Sequence, residues 1–350
     1  VSDKIAIIYN KPVLGKYHEI GEGVAVEDVL DSVTSVEEAL DNLGYEHSSI
    51  PLCPPMESVQ KELTKIDGDI VFNLFEGFDG CEGSEAAVAR TLEKLDFCFT
   101  GASSANLLIC EDKSKTKQVL KACGIPTPDW QVLSPETYKD FNLKFPCIVK
   151  PLGEHASHGL SDKSVVWNVT NLEEQVQYIW RIYNRLSLVE EFLSGREFRI
   201  LIVGNEQPRL YPIEEIIYEL PANKPKLLTF SAKWIPEDDY YINSYEDCPA
   251  KIEPETRQII EHLALQTFSS LNCCGYASMD FRESGSGQIM VIDVNPNTDV
   301  HCGGGIKLPL EVAGIEYITF IDQILSTARY QFEKRQSSEK DEPLTISNIF

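Results

Sequence analysis

The chain has ten cysteines but no C-x-x-C pair, and its one adjacent pair, Cys273 and Cys274, is poorly placed to share a metal. Zinc-ribbon and dithiol-redox readings therefore lack their spacing. Most of the thiols stand in apolar runs, Cys98 in DFCFT and Cys147 in FPCIVK, and read as reduced core residues. Cys302, in HCGGG, is the one to watch as a reactive thiol, but no basic neighbour in the sequence activates it. Long apolar runs are missing, as is a signal-peptide pattern, so a cytoplasmic location is the default expectation. Positive charge is scarce: 31 Lys and Arg against 55 Asp and Glu give a net charge of -24. That balance argues against nucleic acid or an anionic membrane as partner, because polyanions are repelled. A phosphate ligand stays open, since a few lysines and a metal reverse the field inside one cleft. There is no Walker A sequence and no G-x-G-x-x-G after a strand, so P-loop and Rossmann readings lack their signatures. No internal repeat or low-complexity block occurs.

What is present is ordinary for a globular protein of two or three domains, with 43% hydrophobic and 25% charged residues over 350 positions. Lys4 to Tyr9 (KIAIIY) reads as a buried parallel strand. Ser35-Val-Glu-Glu38 has the form of a capping box opening a helix that Gly44 ends. Strands are expected near Ser49 to Leu52, Asp69 to Leu74 and Phe97 to Thr100. An acidic glycine loop, 76–83, precedes a helix capped by Ser84. Strands alternating with helices predict a parallel α/β domain over 1–105. A helix over 112–122 follows, then a strand ending IVKP at Pro151, a small-residue turn GEHASHG at 153–159, and a returning strand at 164–167. Leu188 to Leu193 starts a new strand, and strands at 196–203 and 209–217 are antiparallel in character. Residues 233–250 show no period and suggest a mobile flap. Helices are expected over 253–271 and 317–332, with a loose polar tail from Glu333.

The most informative stretch is Gly275 to Asn297, GYASMDFRESGSGQIMVIDVNPN, which predicts two strands joined by a turn at 284–287. Alternation puts Asp280 on one face with Ser278, and Asp293 with Asn295. Two carboxylates and a carboxamide can thus converge, an all-oxygen set suited to Mg²⁺ held against phosphate. Val291, Ile292 and Val294 imply a buried strand, and acids beside a buried strand need a reason. Lys113 at a helix start and Lys150 at a strand end supply point charges for phosphates. The turn with Ser157 and Gly159 lets backbone N–H groups approach them. Main-chain atoms of Glu191 to Leu193 offer a purine edge.

The order of these elements resembles the ATP-grasp superfamily, closest to the D-alanine–D-alanine ligase branch, over nearly the whole chain. The resemblance implies a three-domain architecture: an N-terminal α/β domain (1–105), a central α+β subdomain (106–187) and a C-terminal one (188–332), with tail 333–350. ATP would lie between the last two. It implies that Lys113 and Lys150 bind phosphates, that Ser157 and Gly159 close over them, and that Glu190, Glu191, Phe192 and Leu193 hold adenine, with Glu197 on ribose. Lys233 in SAKW matches a flap lysine. Asp280, Asp293 and Asn295 match Mg²⁺ ligands for two ions, with Mn²⁺ as a substitute, and Asp293 stands in place of the usual Glu. Small amino acids or peptides are the implied substrates, and a homodimer the implied assembly.

The substrate side departs from that pattern. The family's arginine two residues before the first metal acid is Ser278 here, and losing such a charge costs about 3–4 kcal/mol of transition-state stabilisation. Arg282 lies on the same face further along. Ala156 replaces a serine, Trp234 a tyrosine, and NTDVHCGGG a serine-containing loop. His155, His158 and His301 are candidate substitutes, with Asp299 two residues from His301 and able to orient it. Ser278, Arg282, His301 and Lys233 are thus the catalytic candidates. The expectation is an ATP-dependent carboxylate–amine ligase acting through an acyl phosphate on something other than D-Ala–D-Ala. The alternatives are an ATP·Mg binder that no longer ligates, or a phosphotransferase with another acceptor.

Overall fold

The computed structural model describes residues 3–341. Its first sheet joins β1 (Lys4–Asn10), β2 (Glu46–Leu52), β3 (Ile70–Leu74) and β4 (Cys98–Phe99), all parallel, in the order β2-β1-β3-β4. The apolar run of β1 is covered on both faces, as a parallel strand requires. Ile5 and Ile7 pack with the helices Val29–Leu43 and Tyr317–Asp341, while Ile8 packs with Met56–Leu63 and Ser84–Lys94.

Two expected caps are not caps. The helix Val29–Leu43 begins six residues before Ser35, because Val29, Val33 and Val36 extend its buried stripe, and Ser35 Oγ donates to the Asp31 carbonyl at 2.8 Å. Gly83, at φ 73°, is the N-cap of the next helix, and the Ser84 hydroxyl instead accepts from the Phe78 amide at 2.9 Å.

The second sheet, antiparallel, has the order β5-β8-β6-β7, from β5 (Trp130–Leu133), β6 (Cys147–Pro151), β7 (Val165–Val166) and β8 (Ser187–Glu191). Helix Val169–Tyr183 covers it through Leu172, Val176 and Ile179. Strand β8 was expected to open the third domain. It pairs with both β5 and β6 and so belongs to the second sheet.

The third sheet runs β12-β11-β9-β13-β14 with β10 beside β9: β9 (Glu197–Gly204), β10 (Arg209–Leu210), β11 (Glu214–Tyr218), β12 (Ser244–Asp247), β13 (Gly275–Glu283) and β14 (Ile289–Asn295). The aperiodic stretch 233–250 is structured, with short helices Phe230–Trp234 and Asp239–Ile242 leading into β12, which pairs with β11. The final helix continues past 332 to Asp341, which removes the first part of the expected loose tail; positions 342–350 lie outside the described residues.

Strands β9 and β13 show how one sheet serves two purposes. Phe198, Ile200, Ile202, Ala277, Met279 and Phe281 face helix Pro254–Ser270 and form a core. On the other face the antiparallel pairs read, in order, Val203 with Tyr276, Leu201 with Ser278, Arg199 with Asp280, and Glu197 with Arg282. Val203, Leu201 and Tyr276 pack into the first domain's core. Two residues further, the same face turns from hydrocarbon to charge.

Candidate active site

The hairpin places Asp280 directly opposite Asp293, and Ser278 opposite Asn295. Beyond Asp280 the register shifts, so that Phe281 faces Val291 and Ile292 is left unpaired, a bulge that re-aims the strand at Asp293. Asp293 accepts two hydrogen bonds from Lys113 Nζ, at 2.9 and 3.1 Å. Burial opposes its ionisation, but Lys113 and Lys150 outweigh that penalty and hold the carboxyl well below the usual range. Asp280 Oδ1 accepts from Arg199 Nε at 2.9 Å, and Asn295 Oδ1 accepts from the Asn297 amide at 3.0 Å. The donor set is oxygen only, two carboxyl groups and a carboxamide gathered at one end of a ribbon, which fits Mg²⁺.

The helix Lys113–Ala122 starts from an Asp112 side chain that accepts from the amides of Ser114 and Lys115. One turn after Lys113, on the same face, stands Lys117, which sequence reasoning passed over although D-K-S-K-T-K spaces the two lysines at i and i+4. Lys117 Nζ lies 2.5 Å from Glu190 Oε1, and Lys150 Nζ lies 2.8 Å from Glu190 Oε2. Glu190 was expected among the adenine contacts. Its carboxylate sits between these two ammonium groups, with Lys117 and Glu190 side chains only 3% and 2% exposed. Burial disfavours the Glu190 charge, yet the two lysines more than offset it and lower its pKa. The Asp293 charge also acts on Lys117, Lys150 and Lys233, so lysines and acids interleave along this wall.

The turn after Lys150 carries two successive non-glycine residues in the left-handed region, Ala156 (φ 52°) and Ser157 (φ 59°). Such conformations cost energy and persist only where the surroundings enforce them. Here the flap does so: Ser157 Oγ donates to the Leu228 carbonyl at 3.1 Å and Trp234 Nε1 to the Ala156 carbonyl at 3.1 Å. His158 stacks between Tyr17 (4.1 Å) and Phe230 (5.4 Å) and pairs with Glu22 at 2.7 Å. His158 is therefore a structural tie to the segment between β1 and the helix Val29–Leu43, which holds the short helices Lys16–Glu19 and Val24–Glu27. Gly159 has φ 74°, and a Cβ there would meet Pro151 Cγ at 2.8 Å. His155 faces the cleft with a buried, unpartnered Nε2, and burial, then Lys113, pushes its pKa down to about 4. Burial and Arg199 likewise lower the pKa of Lys233, against the pull of Asp280 and Asp293.

Other candidates move. Arg282 is buried against Glu197 (2.8 Å), donates to the Lys226 carbonyl and stacks on Phe192 at 5.2 Å. It is committed to the end of the cleft where Glu197 and Phe192 lie, and cannot serve beside Ser278. Glu197 also accepts from Tyr218 OH at 2.8 Å; Leu193 is buried and Glu191 exposed. Asp299 does not orient the His301 ring. It accepts from the His301 backbone amide at 2.8 Å, while the ring lies with Asp28 and Asp31, their ligand atoms within 4.8 Å of one another. Of the ten thiols four are buried, and Cys53, Cys81, Cys123 and Cys302 are exposed, so fewer are core residues than the sequence suggested. A further residue the sequence did not single out is Asn297, whose amide donates to Phe75 O and Glu85 Oε1 (2.6 Å), tying the end of the metal strand to the first domain.

Residues 119–326 match a family model described as D-ala D-ala ligase C-terminus. "Uncharacterized protein y4sG" of Sinorhizobium fredii is 31% identical over 263 residues, 75% of this chain and 75% of that protein. The D-alanine–D-alanine ligase of Haemophilus influenzae is 26% identical over 312 residues, covering 87% of this chain and 97% of its own. Among solved structures, D-alanine–D-alanine ligase from Bacillus anthracis complexed with ATP superposes with a TM-score of 0.72 at 22% identity, over 96% of this chain and 99% of that one. The VanG D-Ala:D-Ser ligase from Enterococcus faecalis gives 0.70 at 16% identity, over 94% and 100%. These superpositions show the fold, and no helix among the described residues is long and apolar enough to cross a membrane. With the family model spanning more than half of its length, the chain belongs to the D-alanine–D-alanine ligase family of ATP-grasp enzymes, ligases that form carbon–nitrogen bonds.

Proposed function

We propose that this enzyme joins a carboxylate to an amine at the expense of ATP, on an amino acid or peptide other than the D-Ala–D-Ala pair. The observation that carries the reading is the cross-strand pairing of Asp280 with Asp293 next to a wall of lysines. Asp280, Asp293 and Asn295 would hold Mg²⁺, which when bound neutralises phosphate charge and polarises the transferred phosphoryl group. Lys150 and Lys117, braced by Glu190, face the phosphates, with Lys113 and Lys233 beside the metal acids. The left-handed pair Ala156 and Ser157 presents backbone N–H groups over them. Phe192, Leu193 and Glu197 supply the nucleoside end.

In the first step a substrate carboxylate oxygen bonds to the γ-phosphorus as the bond to the β-γ bridging oxygen breaks, yielding an acyl phosphate and ADP. In the second, an amine nitrogen adds to the acyl carbon, the carbon–oxygen bond to phosphate breaks, and the amine proton passes to solvent. Most of the rate enhancement comes from positioning and fixed charge. The departures at Ser278, Ala156 and Trp234, and the glycines at 303–305, lie around the acceptor side and support a changed substrate. Asp293→Ala and Asn295→Ala are each expected to abolish carboxylate-dependent ADP release. Full turnover in either variant would refute the metal assignment.

A further inference from the structure

We propose that Arg199 is the cation that meets the reacting group, its guanidinium binding the anionic oxygen of the acyl phosphate beside Asp280. The inference rests on the ligase reading. Arg199 stands on β9 directly opposite Asp280, and its Nε donates to Asp280 Oδ1 at 2.9 Å. That bond fixes the guanidinium plane and uses one of five donors. Among the described residues neither Nη group hydrogen-bonds a partner, and neither is fully buried. The side chain is 16% exposed, so it looks into the cleft rather than out to bulk water. On its far side runs the glycine loop: a Cβ at Gly305 would lie 3.5 Å from Nη1. On the strand beyond, Glu214 faces Arg199 across the β9-β11 pair, buried and with an unpartnered Oε2.

The charges around the cleft sort themselves by place. Lys113 serves Asp293, Lys117 and Lys150 serve Glu190, and Arg282 serves Glu197 at the nucleoside end. Ser278, next along the face from Asp280 toward the first domain, carries no charge. Arg199 is thus a guanidinium between a metal acid and the glycine loop, with a free edge of paired N–H groups. A planar, permanently charged fork of this kind matches two oxygens of a phosphate or an oxyanion, and it is already oriented before reaction. Its place on β9 rather than β13 supplies the charge that Ser278 does not.

The test uses the full chain, saturating Mg·ADP, and acetyl phosphate as the probe, with binding followed by calorimetry. Wild type is expected to bind acetyl phosphate. Arg199→Ala should weaken it about tenfold or more, with Mg·ADP affinity changed less than about twofold. Arg199→Lys keeps a charge against Asp280 should the alanine variant fail to fold, and loses the fork; an intermediate loss of about three- to tenfold is expected. Equal acetyl phosphate binding in wild type and variants, no binding in wild type, or an equal loss of Mg·ADP affinity would each overturn the proposal. The last result would make Arg199 a brace for Asp280 only. The ligase reading is checked separately, by hydroxamate formation from wild type with ATP, Mg²⁺, hydroxylamine and a pool of amino acids including D-alanine. Absence of hydroxamate beside Arg199-dependent acetyl phosphate binding sinks ligation and leaves the anion site standing.

Discussion

Replacing Glu190 by Gln should be among the most destabilising single changes in the central sheet. The side chain is nearly inaccessible, with two ammonium groups at 2.5 and 2.8 Å and only the Lys150 side exposed, by 13%. An amide of the same shape leaves both lysines in place and uncompensated. Breaking a buried pair in this way costs about 3–5 kcal/mol, because the residual charge keeps its desolvation penalty without its partner. Against a total stability of roughly 5–15 kcal/mol that is a large share. The lysines have one escape, since burial already lowers the Lys117 pKa and removing Glu190 would let it go neutral. Adding Lys117→Met to Glu190→Gln removes the surplus charge, so the double variant should recover about half of the loss or more. Urea unfolding followed by circular dichroism, with tryptophan fluorescence as a second probe, reads both effects. A single variant within about 1 kcal/mol of wild type, or a double variant no better than the single, would show that Glu190 is not a charge brace.

Three further outcomes follow from particular contacts. Glu85 is buried and lifted to about 8, first by burial and then by Glu111, against the Asn297 hydrogen bond. Its folded pKa lies above the unfolded one, so its contribution is full below about pH 4.5 and is lost as pH rises through 8; Glu85→Gln should remove that alkaline loss, worth roughly 3–5 kcal/mol, in melting curves from pH 5 to 9. His155 is displaced the other way, to about 4, so stability should fall as pH drops from about 6.5 toward 4, and His155→Phe should flatten that limb in the same melts. Gly159→Ala places a methyl 2.8 Å from Pro151 in a left-handed backbone, and should cost about 1–3 kcal/mol and weaken ATP binding by fluorescence titration; an unchanged melting temperature would mean the turn is softer than its contacts suggest.

Much of the fold was legible because its signals were periodic. The buried run of β1, the hairpin turn expected at 284–287 and the helix expected over 253–271 lie where the sequence puts them. The errors have physical sources. Ser35 followed by two glutamates imitates a cap, but Val29 and Val33 carry the buried stripe a further turn upstream, and packing decides where that helix begins. Strand β8 looked like the start of a domain because LVEEFL runs on toward β9 in sequence; its partners, β5 and β6, lie far away in the chain and no local signal names them.

The candidate site divides in the same way. Asp280, Asp293 and Asn295 could be read from alternation alone, since residues two apart on a strand share a face whatever surrounds them. Lys117 was within reach of helical spacing but hidden among three other lysines, at 113, 115 and 121, in the same helix. Arg199 was out of reach. In the sequence it is one residue of EFRILIVG, a strand whose other members are mostly core, and nothing local distinguishes an arginine that ends the hydrophobic stretch from one that faces water. Only the register of β9 against β13 sets it across from Asp280, and only the fold of 303–305 brings a side-chain-free loop to its other edge. A charge can therefore leave one strand and be replaced from its neighbour while the sequence pattern records only the loss. Judging this enzyme's chemistry from Ser278 alone would miss that the sheet still offers a guanidinium to the same cleft.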